Sequence, residues 1–320
     1  MKIRFFLFPV VFLLYLSISA QFSPLVGFPG STAIFKDSAV FAGWASSCNL
    51  VLGWQNISDT TLGIANAGTA ASAVGKAGEN GTASLGDGGY ATLSFDAPIY
   101  NGQGADFAVF ENAFIDSFLE FAFVEVSSDG QRFVRFPAIS NIQDTLQTAS
   151  FGLSDCSLVY NLAGTFRANY GTPFDLDELK DSAGLDLDNI RYVRIRDVIG
   201  SIDSQYATFD SYGKKINDPW PTDFPSSGFD LDAVGAIHQK PLGLEEYSHS
   251  ELLIYPNPTN RYLYFQQQCS EINIFDLSGG CVFEGNDQQI VDVASLRCGI
   301  YFTKVKSGKV FYFSRFIKTD

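Results

Sequence analysis

From residue 21 to about 240 the chain never sustains the apolar spacing of a long helix. Its apolar residues fall in short alternating runs closed by Gly, Asp, Asn and Pro. Such a chain buries its apolar faces only by pairing strands into sheets and stacking those sheets. Strands are expected at Tyr90 to Phe95, Ala105 to Glu111, Glu120 to Ser127, Arg132 to Phe136, Ile190 to Asp197 and Phe229 to Ile237. Ser128-Asp129-Gly130-Gln131 reads as a hairpin turn, because Asp-Gly readily adopts positive φ. Thirty Phe, 14 Tyr and 29 Gly beside one Met favour sheet and turns over helical bundles. The expectation is an all-β, jelly-roll-like sandwich over 21–240. It includes a short helix over Leu176 to Asp181 and a long Gly/Ala loop from Gly63 to Gly88 crossing one end.

The two ends of the chain differ in kind from this region. Lys2 and Arg4 precede a short apolar run, Phe5 to Leu16, and Ser17-Ile18-Ser19-Ala20 offers small residues. This is the pattern of a signal peptide over 1–20, and the run is too short for a bilayer that needs roughly twenty apolar residues. No later segment is long and apolar enough to span a membrane, so none is expected in the mature chain. Residues 241–250 read as a polar linker. From 251 to 320 short strands return, at Tyr262 to Phe265, Glu271 to Phe275, Gly299 to Val305 and Val310 to Lys318, separated by turns such as Leu277-Ser278-Gly279-Gly280.

In this last region Tyr255-Pro256-Asn257-Pro258, Ile274-Phe275-Asp276-Leu277-Ser278-Gly279, Gly299-Ile300-Tyr301-Phe302 and Phe316-Ile317-Lys318 follow one another in order. The segment closely resembles the C-terminal sorting domain of the type IX secretion system, a small immunoglobulin-like β-sandwich. Gly280 and Cys281 depart from the family, which more often carries a Lys and an apolar residue there. The resemblance implies export across the outer membrane of a Bacteroidetes-type bacterium. It also implies the secretion machinery as a partner, a secreted or outer-membrane-surface location, and Tyr255, Pro256, Asn257, Pro258, Gly299 and Tyr301 as the sorting motif.

Charge locates the rest of the problem. The chain holds 21 basic and 35 acidic residues, a net of −14. Residues 251–320 contain seven of each, and the first twenty contain two basic and no acidic side chains. Residues 21–250 are left with 12 basic and 28 acidic, a net of −16. Nothing here supplies the basic face that nucleic acid requires. By the period of two, Phe107, Val109 and Glu111 share one strand face, and Phe121, Phe123 and Glu125 share another. If those faces point inward, both carboxylates approach the core. They then need partners such as Arg132, Arg135, Arg191 or Arg194, or a metal ion. The alternative is a polysaccharide hydrolase with Glu111 and Glu125 as its paired carboxylates.

Between Asp197 and Asp232 seven Asp residues are interrupted by Gly and Pro. Asp210, Asn217, Asp218, Asp230 and Asp232 form a candidate Ca²⁺ set, since that ion takes about six to eight oxygens. The spacing is not that of an EF-hand. Trp220, set between Pro219 and Pro221, suits stacking on a sugar or flat macrocycle, and Asp106 and Glu111 are further candidate ligand contacts. Ser84-Leu85-Gly86-Asp87-Gly88-Gly89, Gly104 to Asn112, Val124 to Gly130 and Gly228 to Gly235 resemble a secreted bacterial family known only as "cell surface protein". They are similar in style to galactose-binding-like jelly rolls, whose late Asp-bearing strand often helps hold calcium.

Other chemistry is poorly represented. Gly102-Gln103-Gly104 lacks the third glycine of a dinucleotide fingerprint. There is no Gly-x-Ser-x-Gly elbow, and the only two His residues, 238 and 249, sit near the linker. Export permits disulfides, and Cys48–Cys156 is one conceivable bridge, as is a pair among Cys269, Cys281 and Cys298. The expected function is therefore a secreted or surface-displayed, non-enzymatic binding protein, stabilised by calcium, for a glycan or a small nutrient such as a corrinoid. A purely structural or adhesive surface protein is the other alternative.

Overall fold

In a computed structural model, described here for residues 22–241, 252–308 and 310–320, the chain divides into two units, Met1–Pro241 and Leu242–Asp320. The expected signal peptide and nearly all of the expected linker lie outside the described residues.

The first unit is a sandwich of two antiparallel sheets. One runs in the order Ile34–Phe35, Tyr170–Phe174, Phe107–Glu111, Asp230–Ala236, Gly43–Trp44, with Ala83–Ser84 also on Asp230–Ala236. The other runs Leu162–Ala163, Ala122–Ser127, Ile190–Asp197, Tyr90–Ile99, Ser47–Val51, with Val134–Arg135 on Ala122–Ser127. The core between them takes alternate residues from most strands, Phe107 and Val109 from one sheet and Ala91, Leu93, Val124, Val126, Val193 and Ile195 from the other, while a bulge after Leu231 shifts the next inward residue of its strand to Val234. Phe107 and Phe174 stack at 5.4 Å, with Phe136 edge-on to both.

Local chemistry sets several boundaries. The Ser127 to Arg132 turn closes on the Asp129 carboxylate, which accepts from Gln131 N and Arg132 N at 2.8 and 2.9 Å, while Gly130 takes φ 75°. The expected helix over Leu176 to Asp181 is a single 3₁₀ turn, Leu176–Leu179, with Asp175 capping Asp177 N. The Arg132 to Phe136 strand is reduced to Val134–Arg135. The Gly63 to Gly88 stretch does cross the sandwich, but it is packed: Ala65, Ala73, Ala77, Ala83 and Leu85 are fully buried. Ala73, Ala83 and Leu85 join the core between the two sheets.

One facing differs from expectation. Phe107, Val109 and Glu111 do point inward, but Phe121, Phe123 and Glu125 face away from the inter-sheet core. Their face is covered by a separate apolar layer that includes Ala138, Ile142, Cys156, Val159, Leu162 and Ile216. Period two specifies which residues share a face, and the long loops over the second sheet decide what covers it.

The second unit pairs a three-stranded sheet, Ile254–Tyr255, Tyr262–Cys269, Gln288–Asp292, with a four-stranded sheet, Cys281–Gly285, Glu271–Phe275, Gly299–Ser307, Val310–Lys318. Its core gathers Leu263, Phe265, Ile272, Ile274, Val291, Val305 and Phe316. The described residues are all-β, as expected. Among the described residues no helix is long and apolar enough to cross a membrane.

Candidate functional site

Antiparallel pairing brings carboxylates to one end of the first unit. Leu231 pairs with Glu111, which sets the end of Phe107–Glu111 beside the start of Asp230–Ala236. Asp197 pairs with Ala122, which sets the end of Ile190–Asp197 beside Glu120 and Phe121. Two loop residues join them. Asp218 accepts from Phe121 N at 2.8 Å, and Asp87 accepts from Ile57 N at 2.8 Å and from the Trp220 indole at 3.1 Å. Asp197 bridges Gly88 N at 3.0 Å and Phe229 N at 2.8 Å. Glu111 accepts from Ala113 N at 2.8 Å, and Asp230 accepts from the Ser84 hydroxyl and the Asn112 amide.

All these donors are neutral. None of the ion pairs formed among the described residues includes Asp87, Glu111, Glu120, Asp197, Asp218 or Asp230. Burial therefore dominates their titration. It raises Glu111, Glu120, Asp197 and Asp218 well above the usual carboxylate range, and neighbouring carboxylates raise them further. Burial likewise pushes Asp87 and Asp230 up to about 6. Asp218, only 3% exposed, leaves Oδ1 buried with no hydrogen-bond partner among the described residues.

Above this acidic floor opens a cavity of about 190 Å³ walled by Glu120, Asp230 and the rings of Phe114, Phe118, Phe151 and Phe224. Phe118 and Phe151 stack at 6.2 Å, and Phe151 meets Phe224 at 5.6 Å. Phe114 and Phe151 are 86% and 73% exposed, and rings exposed together in one patch, unlike rings exposed singly, mark an interaction surface. The loops that carry the rings are fastened down. Arg167 pairs with Asp116 at 2.6 Å, Ser154 N bonds to Ser117 O at 2.7 Å, and Ser150 Oγ donates to Pro221 O at 2.5 Å. Among the described residues, no hydrogen bond reaches the Glu120 carboxylate.

The residues expected from sequence are distributed differently. Asp210 closes its own turn, accepting from Tyr212 N, Lys214 N and Ser140 N. Asn217 ties loops together through Gln143 O, Leu146 O and Thr148 N. Asp232 accepts from Gly78 N on the outer side of its sheet. Asp210, Asn217, Asp218, Asp230 and Asp232 thus do not converge. Among the described residues no group of three or more acidic, His or Cys side chains is placed to hold a metal. Asp210, Asn217 and Asp232 have each found backbone partners of their own, which the spacing of Asp residues does not reveal.

Asp106 staples the opposite end of its strand, accepting from Gly102 N and Leu176 N, with His238 Nδ1 also at 2.7 Å. Trp220 supports Asp87 instead of lining the cavity, and Glu111 lies beneath it. Glu111 and Glu125 sit on different sheets. Arg135 donates twice to Glu125 Oε1, at 3.0 and 2.8 Å, and Arg194 and Arg196 approach to 3.8 Å. Of the expected site residues only Asp230 walls the cavity. Glu120 and the four Phe rings were not singled out from the sequence as a site, although Phe114 and Phe118 in one inter-strand segment just before Glu120 were a visible signal. No disulfide joins Cys48 to Cys156 or links any of the other three, and the first two occupy separate apolar clusters.

In the second unit the expected motif residues have structural tasks. Asn257 bonds both ways to the last strand, through Arg315 O at 3.0 Å and Ile317 N at 2.9 Å. Tyr255 stacks on Tyr264 at 5.7 Å beside Pro256, and Pro258 leads into Thr259, which bonds to Ile317 O. Asp276 accepts from Ser278 N and Gly280 N, closing a turn in which Gly279 takes φ 82°. Gly299 opens its strand, and Tyr301 stacks on Phe316 and donates to Arg297 O.

No curated protein matches the chain. Residues 253–319 match the family model of the secretion system C-terminal sorting domain; the chain therefore carries a type IX sorting domain as its second unit and is an exported protein, secreted or held at the cell surface, whose partner is the secretion machinery.

Proposed function

We propose that the first unit is a non-enzymatic binding domain, carried to the cell surface or beyond by the sorting domain, and that its ligand enters the Phe-walled cavity above the acidic floor. The observation that carries this reading is the Glu120 carboxylate, which no hydrogen bond among the described residues reaches, in a cavity ringed by four Phe side chains. Aromatic rings exposed around a few polar groups suit a glycan or another small ring-bearing nutrient. The cavity is smaller than the roughly 300–1,000 Å³ of sites that enclose a whole drug-sized ligand. It therefore receives one ring or one end group of a larger molecule.

Calorimetric titration of the full chain with mono- and oligosaccharides and a corrinoid tests the reading. Binding should be detected and should weaken at least tenfold in Phe151→Ala, while Phe28→Ala, an exposed ring outside the cavity, leaves it unchanged. Absence of any binding would favour a structural or adhesive surface protein.

A further inference from the structure

Resting on this reading of the cavity, we infer that the group it receives is an organic ammonium, a protonated or quaternary amine carried by the ligand. Two carboxylates, Glu120 and Asp230, stand in the wall, and Glu111, Asp197 and Asp218 lie behind them. No Lys, Arg or His forms an ion pair with any of the five among the described residues. No positive side chain is placed there to receive an anionic ligand, whereas an entering cation stabilises the ionised form of carboxyls that burial and their neighbours otherwise hold protonated.

The rings add to this preference. Phe114, Phe118, Phe151 and Phe224 line the cavity and carry no hydrogen-bond donor, and an aromatic ring attracts a cation to its π face, the negative surface of its quadrupole. Carboxyl groups and aromatic rings lining one cavity match an ammonium headgroup better than a neutral hydroxyl group. The volume, about 190 Å³, corresponds to roughly six waters at about 30 Å³ each. That is room for one compact headgroup. Asp218 Oδ1, buried and unpartnered among the described residues, is a further uncompensated acceptor in the same acidic group.

The test compares choline with dimethylbutanol, its uncharged isostere of nearly equal shape, by calorimetry on the full chain. Glucosamine against glucose provides a second pair. The expected result is at least tenfold tighter binding of each cation than of its neutral counterpart. Glu120→Gln should reduce choline affinity at least tenfold and leave dimethylbutanol within twofold. Phe151→Ala should weaken choline as well, and a thermal melt confirms that each variant folds.

Equal affinity for the charged and neutral members would overturn the inference, as would choline binding indifferent to Glu120→Gln. If neutral sugars bind and lose affinity in Phe151→Ala while the cations do not bind, the cavity stands as the binding site and only its charge preference fails. If neither pair nor the wider ligand panel binds, both readings fail.

Discussion

Asn257 and Ile317 are joined by a 2.9 Å hydrogen bond, Ile317 N to Asn257 Oδ1, while the same side chain donates to Arg315 O. One amide thus holds the proline-bracketed turn against the final strand of the sorting domain. Asn257→Ala should destabilise the second unit by about 0.5–1.5 kcal/mol, since it removes two exposed hydrogen bonds whose backbone partners water can then take. Chemical denaturation of the full chain should show one transition moved to lower denaturant, and surface exposure of the chain in cells should fall with it.

Glu125 and its arginines make a contrasting prediction. Arg135 also lies over the Phe123 ring at 4.0 Å, and Arg194 lies over Phe133 at 3.5 Å. The carboxylate therefore orders a polar layer on the outer face of its sheet. Glu125→Gln should cost about 1–2 kcal/mol, allowing for the partial exposure of Arg135. It should leave ligand affinity unchanged, whereas a Glu125 with a chemical role would alter binding or turnover more than stability.

The Asp230 carboxyl, pushed up to about 6 in the folded state by burial, predicts a pH dependence of stability. It accepts from Ser84 and Asn112 and is faced by Glu111, Glu120 and Asp197. The folded chain keeps this proton where the unfolded chain has released it. The associated stability is present below about pH 4 and is lost as pH rises through about 6. For one carboxyl shifted by this amount the change is on the order of 3 kcal/mol. With no ligand added, Asp230→Asn should gain stability over the parent at pH 7 and lose that advantage at pH 4. Denaturant melts at the two pH values measure it.

Cysteine reactivity should divide by burial. Burial pushes the Cys48 and Cys156 thiols up to about 11, so few thiolates form at neutral pH, whereas Cys281 and Cys298 are exposed. Brief iodoacetamide treatment followed by peptide mass spectrometry should find Cys281 alkylated well before Cys48 and Cys156. Rapid labelling of Cys48 would contradict the packing around it.

What the chain determines alone is what acts between near neighbours. Alternation placed the Ile190–Asp197 strand at its observed bounds, Asp129-Gly130 made the expected turn, and the ordered motifs from Tyr255 to Lys318 marked the sorting domain. Each rests on backbone preferences or on side chains bonding to their own loops. The candidate calcium residues illustrate the limit, because loop closure and strand pairing gave Asp210, Asn217 and Asp232 separate partners. The outward facing of Phe123 and Glu125 depended on loops laid over their sheet from elsewhere in the chain. Glu120 and Asp230 are distant in sequence, and antiparallel pairing within each sheet, followed by stacking of the two sheets, made them walls of one cavity. Local spacing carries no record of such meetings, because they are created only when the sheets pack.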